Sequence, residues 1–263
     1  QLYLLTHQGA PRSRILQMPI GGRIADAREI VPASQRVITG LGAAADALYV
    51  EARDGNIKRL YKRGWSPQAK VTEVRLPVEG SFALNQDEGP GNAADPRLPG
   101  VLLDLQGWNR ARRIFRVEAD GRVVDTGLQP GGPYDAPADV VATEVMVKSH
   151  DGALVPMSIL HKKGVALDGR NPTLLYGYAS YGITEEPFYS TSRLAWLDAG
   201  GVFAVANPRG SGVFGQDWYK GGFQSTKPNT WKDFIACAEW LVAQKWTAPD
   251  RLGIYGGSAG GIL

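Results

Sequence analysis

The chain has 263 residues, with 29 Lys and Arg against 26 Asp and Glu and a formal net charge of +3. Because the two signs of charge are mixed along the chain, the composition argues against a nucleic-acid-binding surface, which needs clustered cations. One cysteine and three histidines exclude a disulfide framework and any cysteine-based metal site. No apolar run approaches the roughly 18 residues that a membrane span needs.

The first half of the sequence, residues 1–130, has the pattern of short strands and tight turns. Residues 47–53 and 57–63 flank an Asp-Gly pair, which is a strong β-hairpin signal because glycine accepts the positive φ of such turns. A similar unit recurs over residues 101–105 and 111–117. Propeller blades and an all-β sandwich would produce the same local pattern, so both interpretations stay open at this point.

The sequence pattern changes after a proline- and glycine-rich linker at residues 127–139. Residues 140–147 and 155–161 alternate in polarity, and from residue 171 apolar strands alternate with helices. Strands are predicted at 173–176, 202–206 and 252–255, and helices at 190–199 and 230–246. This order predicts a parallel α/β sheet.

The helix at residues 230–246 is the most regular in the sequence. Thr230 and Asp233 fit a capping box at its start. Its predicted apolar stripe comprises Trp231, Phe234, Ile235, Ala238, Leu241 and Val242. Cys237 lies on the same helix and is expected to be a small packed residue.

A nucleophile motif ends the sequence. Residues 256–260, Gly-Gly-Ser-Ala-Gly, fit G-x-S-x-G directly after an apolar strand. A serine on a sharp strand-to-helix turn projects its hydroxyl outward, and the tight backbone leaves no room for Cβ atoms at the flanking glycines. The pattern therefore favours Ser258 as a nucleophile with the Ala259 N–H as an oxyanion donor. A turn without chemistry is the alternative.

Two other polar patterns are weaker. Residues 210–215 match G-x-G-x-x-G, but a poor helix follows and no acidic residue lies at the spacing that dinucleotide binding requires. A P-loop is excluded because the Walker lysine is absent. His7, His150 and His161 all precede Ser258, whereas α/β-hydrolases place their histidine after the serine. We expect His150 and His161 to be surface residues, and Arg110, Arg112, Arg113 and Arg116 to form a solvated strand face.

Residues 140–263 resemble the serine peptidases of the prolyl oligopeptidase family. The motifs that carry this resemblance, in chain order, are residues 161–164, 167–169, 175–178, 205–212, 218–222, 227–234 and 256–261. The resemblance implies an α/β hydrolase with a partial parallel sheet, preceded by all-β blades of a seven-bladed β-propeller. It places the end of the propeller in residues 1–135 and the start of the peptidase domain in residues 136–263.

The resemblance also implies roles for individual residues. Ser258 corresponds to the acylating nucleophile, and Tyr178 to the tyrosine whose hydroxyl is the second oxyanion donor beside the Ala259 N–H. Tyr181 stands where the family has an aromatic residue at the proline-binding pocket. Ala179-Ser180 departs from the family's Gly-Gly pair, and Ser211 and Val213 interrupt its glycine-rich run. These departures put substrate preference in doubt more than reaction type.

The expected function is therefore a serine endopeptidase that cleaves short peptides after proline through an acyl-enzyme, with no cofactor and no metal. An acylaminoacyl-peptidase, a dipeptidyl-peptidase, an esterase or an inactive binding module are the alternatives. We expect the 263 residues to be a piece of a longer monomeric protein, inactive alone because the triad Asp and His lie beyond Leu263. A cytoplasmic location is favoured and a periplasmic one stays open.

Overall fold

The computed structural model describes residues 1–84 and 93–263. The chain divides into two compact units: residues 1–107 with 112–131, and residues 108–111 with 132–263. The domain limits expected from the sequence, 1–135 and 136–263, stay a prediction. Among the described residues, none of the helices combines the length and the apolar sequence that a membrane-spanning helix requires.

The first unit consists of antiparallel β-structure. Its strands are β1 (Leu2–Thr6), β2 (Arg14–Met18), β3 (Arg28–Val31), β4 (Val37–Ala43), β5 (Ala47–Asp54), β6 (Ile57–Gly64), β7 (Thr72–Val74), β8 (Val101–Gly107), β9 (Arg110–Val117) and β10 (Val123–Asp125), with a 3₁₀ turn at Ile24–Asp26. They form three sheets, in the orders β1-β2-β3, β4-β5-β6-β7 and β10-β9-β8. The predicted hairpin of β5 and β6 is confirmed, with Asp54 paired to Ile57 across the turn.

The three sheets are stacked, as β5 shows. Leu48 and Val50 pack into one apolar cluster with Ile15 of β2. Tyr49, between them in sequence, packs into another cluster with Leu103 of β8. Successive side chains of a strand point to opposite faces, so the sheet that contains β5 is covered on both sides. Consecutive sheets stacked in this way have the arrangement of propeller blades rather than of a two-sheet sandwich.

The second unit is a mixed α/β sheet with helices. Its strands are β11 (Val140–Lys148), β12 (Leu154–Lys162), β13 (Thr173–Tyr176), β14 (Val202–Ala206) and β15 (Leu252–Tyr255). Its helices are α1 (Thr191–Asp198), α2 (Gln216–Lys220) and α3 (Pro228–Ala243), with 3₁₀ turns at Gln224–Thr226, Pro249–Arg251 and Ser258–Ile262. The sheet order is β11-β12-β14-β13-β15.

The sheet is only partly parallel. β13 pairs in parallel with both β14 and β15, as the strand–helix–strand order predicts. β11 and β12 form an antiparallel hairpin, and β12 joins β14 antiparallel. β12 is buried almost throughout, which allows it to continue the sheet rather than form a separate half-exposed hairpin. β15 lies at one edge of this sheet, with Ile254 and Tyr255 exposed.

Both faces of this sheet are covered. Ile159 of β12 and Ala204 of β14 pack with Phe234 and Leu241 of α3. Leu160 and Val205, their neighbours in sequence, pack on the other side with Trp108. β14 is buried on both faces, as its unbroken apolar sequence predicts.

Two expectations for α3 are wrong. The helix begins at Pro228, so Thr230 and Asp233 lie inside its first two turns and do not form a capping box. The stripe that reaches the core includes Cys237, whereas Ile235 is 51% exposed. The packing that buries Cys237 and Leu241 therefore selects a face of the helix that also carries Thr230 and Asp233.

Candidate active site

Three loops of the second unit meet at one edge of the sheet. They follow β13, β14 and β15, which run in parallel, so their carboxyl ends lie at the same edge. β13 is central among the three, and its loop is therefore flanked by the other two. The loop after β13 contains Tyr178 and Tyr181, and the loop after β15 contains Ser258.

Ser258 stands on a sharp turn between β15 and a terminal 3₁₀ turn. Its φ is +51°, in the left-handed region, and the residue is exposed. A non-glycine residue held there has a strain of about 1–3 kcal/mol, which persists only where neighbouring structure fixes the backbone. The turn is closed by the Gly260 N–H, which donates to the Gly257 carbonyl at 2.7 Å. This is the geometry expected for an outward-pointing nucleophile.

Two glycines of the motif are required by close backbone approach. A Cβ at Gly256 would lie 2.3 Å from the Gly260 carbonyl oxygen. A Cβ at Gly260 would lie 2.9 Å from the Gly177 carbonyl oxygen and 3.2 Å from Tyr178 Cα. Gly257 has open space, with its nearest neighbour 3.9 Å away. The sequence-based expectation of no room for Cβ atoms therefore holds at Gly256 and Gly260.

The close packing of Gly260 brings the serine turn against Tyr178. Ala259 and Tyr178 are half-buried, and Ser258 is exposed. Tyr181 lies three residues further along the same loop and is 74% exposed, with a φ of +56°. The catalytic and binding roles of these residues stay a proposal.

An asparagine side chain joins the loops after β13 and β14. The Glu185 N–H donates to Asn207 Oδ1 at 2.8 Å, and Asn207 Nδ2 donates to the Glu185 carbonyl at 3.0 Å. Asn207 is buried, so this pair of hydrogen bonds to the backbone is shielded from water. Burial raises the pKa of Glu185, whose carboxylate accepts a hydrogen bond from the Tyr176 hydroxyl at 3.3 Å.

A buried ion pair fixes the loop after β14 to α3. Arg209 donates to the fully buried Asp233 from Nε at 2.8 Å and from Nη2 at 2.6 Å, and its backbone N–H adds a bond at 3.0 Å. Ser149 Oγ donates to the same carboxylate at 2.6 Å. Asp151 accepts from the other side of the guanidinium, and this hydrogen bond lowers the pKa of Asp151 to about 2.

The sequence reasoning missed this pair because it assigned Asp233 to a capping box. Thr230, its supposed partner, donates instead to the Arg209 carbonyl at 2.7 Å. The presence of Thr230 and Asp233 on the buried face of α3 was the sequence signal for this ion pair, because a buried carboxylate needs a charged partner. His150, Asp151 and Asp233 present ligand atoms within 4.8 Å of one another, but a metal ion there would compete with Arg209.

The glycine-rich segment 210–215 is a loop shaped by backbone contacts. Gly210 has a φ of +100°, and a Cβ there would lie 2.4 Å from the Ala179 carbonyl oxygen. The segment then enters α2, a helix of only five residues. This short helix agrees with the poor helix that the sequence pattern predicts here. It differs from the long helix that opens a dinucleotide site.

The expected surface position of His161 is wrong. The side chain is buried, its Nε2 lies 2.9 Å from Thr143 Oγ1, and its ring lies 4.9 Å from the Trp246 ring. His150 is exposed, as expected, and its Nδ1 lies 3.1 Å from Ser149 Oγ. Over residues 1–84 and 93–263, Ser258 has no hydrogen bond to a histidine. Cys237 is buried and packed, as expected.

Comparison with known proteins identifies similar chains. Residues 187–263 match the prolyl oligopeptidase family. The whole chain is 30% identical to the prolyl endopeptidase of Elizabethkingia miricola and 44% identical to the dual function macrocyclase-peptidase POPB of Amanita bisporigera, and covers 36% of each. A solved prolyl endopeptidase matches 99% of the chain with a TM-score of 0.87 and 32% identity, and the chain covers 37% of that structure.

Over its whole length the chain is therefore similar to proteins of the prolyl oligopeptidase family. The mixed sheet of the second unit is accordingly part of an α/β hydrolase fold, and the stacked antiparallel sheets of the first unit are propeller blades. The chain spans just over a third of the length of the family members that it matches. The turn after β15 contains Ser258, the serine of the G-x-S-x-G pattern in the sequence.

Proposed function

We propose that this chain is part of a serine peptidase of the prolyl oligopeptidase type, which hydrolyses short peptides through an acyl-enzyme. The observation that carries the proposal is Ser258, held at a positive φ on an exposed turn and packed through Gly260 against the backbone of Tyr178. Strain of this kind concentrates at functional sites. Here it presents a hydroxyl at the carboxyl ends of the parallel strands β13, β14 and β15.

In the proposed reaction, Ser258 Oγ attacks the peptide carbonyl carbon and forms the new O–C bond. The developing oxyanion accepts hydrogen bonds from the Ala259 N–H and the Tyr178 hydroxyl. The proton of Ser258 passes to a histidine and then to the leaving amine as the C–N bond breaks. Water attacks the resulting acyl-enzyme by the same route in reverse and releases the acid. The protein's residues perform these steps without a cofactor.

The proposed histidine is neither of the two in the second unit. His161 is buried in β12 with its ring nitrogens close to Thr143 and the Lys162 carbonyl, and His150 faces Ser149. Neither is placed to take the proton of Ser258.

Residues 1–263 expressed alone are therefore expected to show no peptidase activity, because Ser258 lacks a general base. The measurement is turnover of a fluorogenic prolyl peptide by the purified 263-residue chain, compared with the complete natural protein at equal molarity. Turnover by the isolated chain that disappears in Ser258→Ala would contradict the assignment of the base.

The proposed substrate preference is a short peptide with proline before the scissile bond, and Tyr181 is the proposed contact of that proline ring. Tyr181 is 74% exposed on the loop that begins at Tyr178, which leaves its ring accessible to a substrate. The relatives named prolyl endopeptidase support the preference. The departures at Ala179-Ser180 keep acylaminoacyl-peptidase, dipeptidyl-peptidase and esterase activity as alternatives.

Substrate profiling of the complete natural protein separates these activities. We expect kcat/KM for an internally placed Pro–X bond to exceed that for the matched Ala–X peptide, for acyl-amino acid amides and for simple esters by at least about tenfold, because a fitted apolar pocket contributes about 1–3 kcal/mol. Mass analysis of the products distinguishes hydrolysis from cyclisation. Equal rates on Pro–X and Ala–X peptides would refute the proline preference and leave the serine mechanism standing.

A further inference from the structure

The turn that follows Tyr178 is strained at two non-glycine residues. Ala179 has a φ of +49° and Tyr181 a φ of +56°, both in the left-handed region. Ala179 and Ser180 are buried, although this segment is a loop. Side chains are disfavoured in this backbone conformation, so the turn keeps its shape only if surrounding groups fix it.

A lysine from another element bonds directly to this turn. Lys227 Nζ donates to the Ala179 carbonyl at 2.9 Å and to Ser180 Oγ at 3.0 Å. Ala179 and Ser180 immediately follow Tyr178. They precede Lys227 by 48 and 47 positions in the sequence. Charge-assisted bonds of this kind are roughly twice as strong as neutral ones, so the ammonium is a firm anchor for the turn.

The base of this anchor is itself rigid. Lys227 immediately precedes α3, whose Thr230 and Asp233 are bonded to Arg209. Gly210 packs against the Ala179 carbonyl. The Gly210 carbonyl accepts a hydrogen bond from the Gly182 N–H at 3.1 Å. The turn is therefore held by Lys227 on one side and by the loop after β14 on another.

The ammonium of Lys227 is placed where its charge is not favoured by its surroundings. Both of its hydrogen-bond acceptors are neutral, and burial lowers the pKa of Lys227. Desolvating an ammonium without a carboxylate partner is unfavourable. A neutral side chain at this position would avoid the desolvation penalty. The presence of a lysine therefore points to a requirement for a rigid turn at Ala179 and Ser180 rather than to a contribution to the overall stability of the fold.

We propose that Lys227 is a positioning residue for the oxyanion site. Through its bonds to Ala179 and Ser180 it fixes the backbone that directs Tyr178, while Gly260 fixes the other side of Tyr178 against the serine turn. This inference rests on the proposed function, because it assigns Lys227 a role through the Tyr178 hydroxyl. Donors aimed at an oxyanion act in the transition state, so their misplacement lowers kcat rather than raising KM.

The test is Lys227→Met in the complete natural protein, with a fluorogenic prolyl peptide as substrate. Methionine keeps an unbranched apolar stem and removes the ammonium. We expect kcat to fall by about tenfold or more, with KM changed by less than about threefold, because small displacements of catalytic groups have large effects on rate. Lys227→Arg, which can donate to both acceptors, should restore part of the loss. Lys232→Met, at an exposed lysine of α3, is the matched control and should leave both constants unchanged.

A double-mutant cycle with Tyr178→Phe distinguishes positioning from a structural role. If Lys227 acts through the Tyr178 hydroxyl, Lys227→Met should cause little further loss of kcat in the Tyr178→Phe background. Lys227→Gln, which keeps one donor group, replaces Lys227→Met in the cycle if the methionine variant fails to fold by circular dichroism.

Unchanged kcat in the folded Lys227 variants, or equal losses in the two backgrounds, would overturn the proposal for Lys227. These outcomes are separable from failure of the proposed function, which would appear as full activity in Ser258→Ala. An inactive Ser258→Ala together with a fully active Lys227→Met would refute only the positioning role.

Discussion

Ser258→Ala is expected to abolish peptidase activity of the complete natural protein, with kcat reduced by at least about 10⁴-fold. The reason is that the acyl-enzyme cannot form without the Ser258 hydroxyl, and only oxyanion stabilisation and substrate binding would remain. The strained turn should persist, because its backbone is fixed by Gly256 and Gly260 rather than by the serine side chain. Folding and thermal stability should therefore stay close to those of the unsubstituted protein.

Covalent labelling measures the reactivity of the Ser258 hydroxyl directly. A fluorophosphonate probe should modify the unsubstituted protein at Ser258 and fail to modify Ser258→Ala. Ser192→Ala, which removes an exposed serine hydroxyl on α1, is the matched control and should label normally. Folded protein that resists the probe and turns over no prolyl peptide would instead favour a catalytically inactive binding module.

Asp233→Asn is expected to destabilise the protein by about 3–5 kcal/mol, because it leaves the Arg209 guanidinium buried with only part of its compensating charge. Asp233 is fully buried and accepts from the side chains of Arg209 and Ser149 and from the Arg209 backbone N–H. An amide at this position would direct its NH₂ group toward one or more of these donors. The loop after β14, which begins at Asn207, should lose its anchor to α3.

The measurement is the free energy of unfolding from chemical denaturation, with two comparisons. Glu239→Gln makes the same carboxylate-to-amide change at an exposed position of α3 and should change stability by less than about 0.5 kcal/mol. Asp151→Asn removes the more exposed partner of Arg209 and should have a smaller effect than Asp233→Asn, because solvent screens that ion pair. Equal effects of Asp233→Asn and Glu239→Gln would show that the buried pair contributes little.

Much of the fold could be read from local sequence patterns. The strands at 173–176, 202–206 and 252–255 were predicted at their observed bounds, because short apolar runs between turns determine strand position locally. Ser190 was expected to open a helix, and its side chain accepts the Arg193 N–H at the start of α1. The serine turn was equally local, since Gly256 and Gly260 are required by backbone contacts close to the serine.

The errors occurred where a residue's role depends on distant partners. Thr230 and Asp233 satisfy the local pattern of a capping box, but tertiary bonds to Arg209 override it. His161 ends a strand that the sequence suggested was half-exposed, and it is buried because its ring packs against that of Trp246. Such outcomes depend on which strands become neighbours, and hydrophobic periodicity does not specify sheet order.

The sequence by itself determined the positions of β13, β14 and β15, the approximate bounds of α1 and α3, the serine turn and the resemblance to the prolyl oligopeptidase family. Only the tertiary structure decided that Tyr178 lies against Gly260, that Arg209 pairs with Asp233, and that Lys227 holds the strained turn at Ala179. The physical reason is separation along the chain. Turns and periodic elements arise from interactions among residues a few positions apart, whereas these contacts join residues that only the parallel pairing of β13, β14 and β15 brings to one edge of the sheet.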